Sequence, residues 1–162
     1  MRITEENLYS EILPNLFISG TLDEAVLSNP RFEENSHGNV PFDACVTLYG
    51  DSWPMGHFVR EQRFPIPDAA LQASSETEIR QLAQWLYSQW KLGKRVAGKC
   101  QAGWNRSSLV VALVLLQEGY SADDAISLIR EKRSQNALCN PDFVRFIRQE
   151  EVRLAPTTAI NA

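Results

Sequence analysis

The sequence predicts a single α/β domain with strands interleaved among helices, and three observations carry that prediction. Short β-branched apolar runs alternate along the chain with stretches whose apolar residues recur at helical spacing. One such run, Val96-Ala97-Gly98-Lys99, passes through a tight loop straight into the strongly apolar segment 109–116, the pattern of a strand, a loop and a buried helix. Finally, 162 residues, 44% of them hydrophobic, are enough for one core and show no linker or repeat at which a second domain would begin. The domain is expected over residues 1–154, with 155–162 a tail that has little left to bury.

Residues 8–20 read as two extended segments divided by Pro14, with Gly20 turning the chain out. Thr21 and the acid Glu24 open a short helix over 21–27, and the polar, turn-rich stretch 29–41 is a surface loop. Residues 42–49 have the apolar, β-branched character of a buried strand, and 58–66 return to the sheet. Ser75 and Glu78 form a capping box for a helix that carries Ile79, Leu82, Ala83, Leu86 and Trp90 on one face and stops at Gly93. The helix after the loop stops at Gly119. Ser121 and Asp124 cap the next one, with Ala125, Ile126 and Ile129 inward, and Asn140-Pro141 opens a last helix that packs through Phe143, Phe146 and Ile147.

The chemistry concentrates after Lys99, in Cys100-Gln101-Ala102-Gly103-Trp104-Asn105-Arg106-Ser107. The first turn of a helix carries N–H groups without partners inside the helix, and its dipole favours negative charge. A loop that ends in such a turn can hold a phosphate on its backbone amides, here those of Gln101, Ala102, Gly103, Trp104 and Asn105. Arg106 adds a planar, permanently charged fork matched to two phosphate oxygens. Cys100 lies beneath that position, and the same positive field favours its thiolate. Ser107 can merely cap the helix, or both cap it and donate to the sulfur. Asp68 sits in a Pro-punctuated loop, Ile66-Pro67-Asp68, where an acid can serve chemistry or simply form a turn.

The rest of the composition narrows the function. A net charge of -4 with no basic block disfavours broad binding to nucleic acid or anionic lipid. No segment is suited to a signal peptide or long enough to cross a bilayer. Cys45, Cys100 and Cys139, with only His37 and His57 besides, make neither a disulfide framework nor a zinc site. A reducing, cytoplasmic setting without metal or other cofactor is expected.

With these residues in view, Cys100-x5-Arg106-Ser107 resembles the signature of the cysteine-dependent protein tyrosine and dual-specificity phosphatases. The likeness extends over residues 8–150: 12–20 is similar to the family's opening segment, 42–48 to its strand before the acid loop, and Gly119-Tyr120-Ser121 with Ala125-Ile126 to the helices after the signature. Asp68, 32 residues before Cys100, lies about where the family places its general acid. The resemblance implies a central twisted, mixed and mainly parallel sheet flanked by helices. It implies catalysis by Cys100, Arg106, Asp68 and Ser107, through a phosphocysteine on Cys100, with a phosphorylated protein or peptide as substrate. Phosphotyrosine is the expected target, with phosphoserine and phosphothreonine open.

Two departures stand out. Lys99 occupies the place where the family usually has a loop-ordering histidine, and its charge can act on Cys100 or point to solvent. Trp104-Asn105 is reminiscent of the family's RNA triphosphatase branch, which keeps open RNA 5′ ends, phosphoinositides, or a weakly active phosphate-binding module as alternatives. Trp104 can line the pocket or pack beneath it. Cys45 is read as core rather than as a disulfide partner of Cys100, and Asn140 as a helix cap.

Overall fold

The computed structural model describes residues 7–21, 42–52, 54–55 and 59–156. Five strands, β1 (Tyr9–Leu13), β2 (Leu16–Ser19), β3 (Ala44–Thr47), β4 (Arg60–Arg63) and β5 (Val96–Lys99), form one sheet in the order β1-β2-β5-β3-β4. Four helices accompany it: α1 (Ala73–Lys91), α2 (Arg106–Glu118), α3 (Ala122–Lys132) and α4 (Pro141–Leu154). β1 and β2 are antiparallel, and every other pairing is parallel. The predicted class, a single α/β domain on a mixed, mainly parallel sheet, is the observed one.

The local chemistry explains most elements. Pro14 and Asn15 make the β1–β2 turn, and Asn15 takes the positive φ of 67° that its short polar side chain tolerates. β3 and β4 are shorter than the apolar runs that predicted them. The ladder stops at Thr47, although Leu48 N still donates to Lys99 O at 2.8 Å. β4 is an edge strand, and its Arg-Glu-Gln-Arg sequence suits an edge that faces water.

The start of α1 is a correction. No Ser75 box forms; the helix begins at Ala73 with Gln72 as its cap residue and no side-chain cap bond. Leu71 packs against the core and draws the chain into the helix early, so Ser75 falls inside the first turn. The other two caps are as predicted, with Ser121 Oγ accepting from Asp124 N and Asn140 Oδ1 from Asp142 N. The expected helix over 21–27, the loop over 29–41, His37, His57 and the tail beyond Pro156 lie outside the described residues.

β5 is the middle strand, and alternation along it separates two environments. Val96 joins the main cluster with Leu16, Ile18, Ala44, Val46 and all four helices. Ala97 faces the other way, into a smaller cluster with Leu8, Phe17, Phe42, Cys45 and Met55. Helix α2 is buried on every side from Ser107 to Leu116, as expected of a helix surrounded by a sheet and three other helices. Gly98 allows its close approach: a Cβ there would lie 2.9 Å from Ser107 O and 3.1 Å from Val111 Cγ2. Strand β5 and helix α2 are thus locked together, and the loop between them has little freedom. Among the described residues no helix is long and apolar enough to cross a membrane.

Lys99 does not point to solvent; it is 2% exposed. Its Nζ approaches Met55 Sδ at 3.7 Å, beside the cluster that holds Cys45. Cys45 is fully enclosed, a free thiol across the sheet from the cluster that holds Cys100, so the core reading holds and the disulfide reading does not. Burial pushes the Cys45 thiol up to about 11 from its ordinary 9.0, with the Lys99 charge acting in the opposite sense. Between those values the unfolded chain sheds the proton while the folded chain keeps it. Stability contributed by Cys45 is therefore present below about pH 9 and lost as pH rises towards 11. Urea unfolding across that window should show a decline of the order of 2 kcal/mol that is absent from Cys45→Ala.

Candidate active site

The loop at residues 100–105 leaves the carboxyl end of β5, where ligands bind in open α/β sheets. Its backbone is held from outside. Cys100 O accepts from Thr21 Oγ1 at 3.1 Å, and Gln101 O from Thr21 N at 2.8 Å. Ala102 O and Gly103 O accept from the Arg133 guanidinium, each at 3.1 Å. Trp104 O accepts from Leu138 N at 2.9 Å. Five consecutive carbonyls are thus tied outward. In a trans peptide the next residue's N–H points opposite the carbonyl, so the amides of Gln101, Ala102, Gly103, Trp104 and Asn105 are turned the other way.

Two glycines make this curvature possible. Gly103 has a φ of 71°, and a Cβ on it would meet Arg133 Nη2 at 2.8 Å and Gly20 N at 2.9 Å. Gly20, expected only as a turn, also packs its backbone against the loop, within 3.1 Å of Gln101 O at its Cβ position.

Cys100 Sγ lies 3.1 Å from Ser107 Oγ, both buried. Of the two roles expected of Ser107 the cap is not seen: its hydroxyl meets the sulfur, while the helix cap position is taken by Asn105 without a side-chain cap bond. Arg106, half-buried, donates from Nη1 to Ile66 O at 3.2 Å and lies over the Tyr49 ring at 5.3 Å. Among the described residues the other donors of its fork reach no acceptor and could serve a ligand.

Asp68 is drawn to the same loop. Asn105 Nδ2 donates to its Oδ2 and Asn140 Nδ2 to its Oδ1, each at 2.8 Å. Asn140 N also donates to Asn105 Oδ1 at 3.2 Å, closing a ring of amide and carboxylate groups. Asn140 caps α4 as predicted and grips Asp68 as well. Leu138, with a φ of 56° that is unusual for its side chain, sets this segment against the loop, and Arg130 fastens it by donating to Ala137 O and Leu138 O.

The structure therefore brings together Cys100, Gln101, Ala102, Gly103, Trp104, Asn105, Arg106, Ser107 and Asp68, while Lys99 and Cys45 belong to the other side of the sheet. It adds Tyr49 and Arg133, which no local motif marks, and gives Thr21 and Asn140, read from sequence only as helix caps, a place at the loop. Arg133, just after α3, also donates to Asn7 O, Leu8 O and Ser10 Oγ, and so pins the loop to the start of the sheet. Burial pushes its guanidinium below the usual arginine range, with its nearness to Cys100 acting in the opposite sense. Among the described residues no group of three His, Cys, Asp or Glu side chains is placed to hold a metal.

Arg133→Ala would leave the Ala102 and Gly103 carbonyls without their partner. We expect a loss of about 3 kcal/mol in stability by urea unfolding, in proportion to the charged hydrogen bonds removed. Vanadate affinity, measured by calorimetry, should fall at least tenfold, with Arg133→Lys intermediate.

By sequence, no family model and no curated protein matches the chain. By structure it is similar to human DUSP28, at 19% identity and a TM-score of 0.73 over 91% of this chain and 95% of that one. It is similar to Tk-PTP in its active form, at 23% identity and a TM-score of 0.69 over 91% and 98%. It is similar also to the human tyrosine phosphatase-like serine/threonine/tyrosine-interacting protein, at 18% identity and a TM-score of 0.68 over 90% and 96%. The loop, its helix and its strand order thus sit in the fold of the compact dual-specificity phosphatases, which this chain shares along nine-tenths of its length.

Proposed function

We propose that this protein is a cysteine-dependent phosphatase that hydrolyses phosphotyrosine in proteins, and phosphoserine or phosphothreonine where the pocket admits them. One observation carries the reading: Asp68, from a separate loop, is hydrogen-bonded at 2.8 Å to Asn105 of the loop that holds Cys100. A phosphate-binding module has no need to bring an acid to its thiol. A hydrolase that must protonate a leaving oxygen does.

The steps follow from the groups present. The inward amides of the loop and the Arg106 fork hold the non-bridging oxygens, neutralising charge as it spreads in a loose transition state. Cys100 Sγ attacks phosphorus while Asp68 gives its proton to the departing oxygen, leaving a phosphocysteine and the free alcohol. Water then attacks phosphorus, Asp68 takes its proton, and the thiolate leaves with inorganic phosphate. Ser107 Oγ, 3.1 Å from the sulfur, donates to the thiolate before attack and on departure. Trp104-Asn105 prompted the reading on RNA 5′ ends, but Asn105 has another use here, as the link to Asp68. A cytoplasmic location suits a mechanism that depends on a reduced thiol.

Turnover of a phosphotyrosine peptide, a phosphothreonine peptide, a 5′-triphosphorylated RNA and a phosphoinositide separates the alternatives. The phosphotyrosine peptide should be hydrolysed fastest, and Cys100→Ser should lower kcat by roughly 10³-fold or more. Wild type clearing none of the four would leave only the binding-module reading. Asp68→Asn should slow aryl phosphates with poor leaving groups by about 10²-fold and spare those with very acidic phenols. An equal loss on both kinds would move the acid elsewhere.

A further inference from the structure

A groove of about 670 Å³ runs from the rim of the candidate active site along the outer side of α4. At its near end is Cys139, whose Sγ lies 3.3 Å from Asn105 Nδ2, the same amide that holds Asp68. Its floor is apolar, made by Leu138, Pro141, Val144 and Val152. Val152 is 76% exposed, an apolar side chain left in water on a helix whose inner face is already filled by Phe143, Phe146 and Ile147. The sides carry Arg130, Arg145 and Arg148 and no acid, in a chain whose net charge is -4.

We propose that this groove docks the polypeptide of a phosphoprotein substrate, which lays apolar side chains on the floor and carboxylates against the arginines. The inference rests on the phosphatase reading and names the flanking sequence that the site selects. From Pro141 to Val152 the helix rises by roughly 16 Å, the span of about five extended residues. A peptide anchored by its phosphate at Cys100 therefore has a groove of matching length beside it. Arg145 and Arg148 are now paired with Asp142 and Asp123, at 2.9 and 3.1 Å. Both arginines are mostly exposed, and such surface pairs are weak enough for a peptide carboxylate to replace the partner. Arg130 is different: its bonds to Ala137 O and Leu138 O hold the floor in place.

The test compares wild type with Arg145→Glu/Arg148→Glu and with the milder Arg145→Gln/Arg148→Gln, each checked for folding by its thermal melt. Three substrates are needed: para-nitrophenyl phosphate, a phosphotyrosine peptide with Leu and Glu on both flanks, and the same peptide with Lys for Glu. Wild type should favour the acidic peptide by about tenfold in KM, and the charge-reversed protein should lose that preference, with the Gln variant intermediate. Turnover of para-nitrophenyl phosphate, which does not reach the groove, should stay within about twofold in all three proteins. A KM for the acidic peptide that charge reversal leaves unchanged would overturn the proposal. A parallel fall on para-nitrophenyl phosphate would overturn it too, as would a dimer that covers the groove and dissociates on charge reversal. Fluorescence anisotropy of the labelled acidic peptide on the Cys100→Ser protein, with and without the arginine changes, reads docking without turnover. Binding lost on charge reversal there, with no hydrolysis by wild type, would keep the groove and sink the phosphatase reading.

Discussion

Five backbone carbonyls in a row, from Cys100 to Trp104, accept hydrogen bonds from groups outside the loop, and the rest of the site depends on that. A peptide unit cannot turn its carbonyl outward without turning the following N–H the other way. A loop with its amides turned inward is therefore built from the outside, by Thr21 just beyond β2, Arg133 beyond α3 and Leu138 before α4. None of these needs to touch a ligand. Remove the outer partners and the carbonyls, buried against the fold, lose their compensation, so the loop would relax to satisfy them inward. The price of holding a loop in this shape is visible at Gly103 and Leu138, both in the left-handed region of backbone space.

Strand β5 divides the chemistry by alternation. Lys99 serves the cluster of Cys45 and Met55 on one face, while Cys100, one residue on, opens the loop on the other side. Two cysteines in one small protein thus have opposite environments. Cys45 is sealed where burial suppresses its ionisation; Cys100 meets the Ser107 hydroxyl, below a loop whose carbonyls Arg133 holds. The histidine that the resemblance leads one to expect before Cys100 is replaced by a residue that faces away from the loop. The loop is held instead by Thr21, Arg133 and Leu138.

Asp68 and the loop are held as one unit by neutral amides. Asn105 and Asn140 reach the two carboxylate oxygens from different elements, one at the start of α2 and one at the start of α4. Each amide fixes a direction as well as a distance, so the carboxyl group is aimed rather than merely near. Asn140 can do this because its carbonyl oxygen caps α4 while its amino group remains available. The same contact sets the beginning of α4, and with it the groove, at the edge of the site.

The fold class, and the loop at Cys100 as the place to look for chemistry, could be read from the chain alone. Periodicity and punctuation marked the strands and helices, because a side chain's burial repeats with the geometry of its element. The run from Val96 to Ser107 carried its chemistry in the order of the chain, since a strand, a loop and a helix start place neighbours within reach of one another. Asp68 stood out only beside the resemblance, because nothing local distinguishes an acid held for chemistry from a turn former. Tertiary structure alone decided the rest. Arg133, Thr21, Tyr49 and Asn140 lie far along the chain from their partners in the loop or beside it, Thr21 by 79 residues from Cys100, and no spacing rule spans such distances. The capping box at Ser75 failed for a related reason: packing of Leu71 against the core outweighed a local hydrogen-bond preference. Local patterns report local geometry. Which distant carbonyl an arginine reaches, and which face of the sheet a lysine joins, follows from how the elements pack, and only the folded chain contains that.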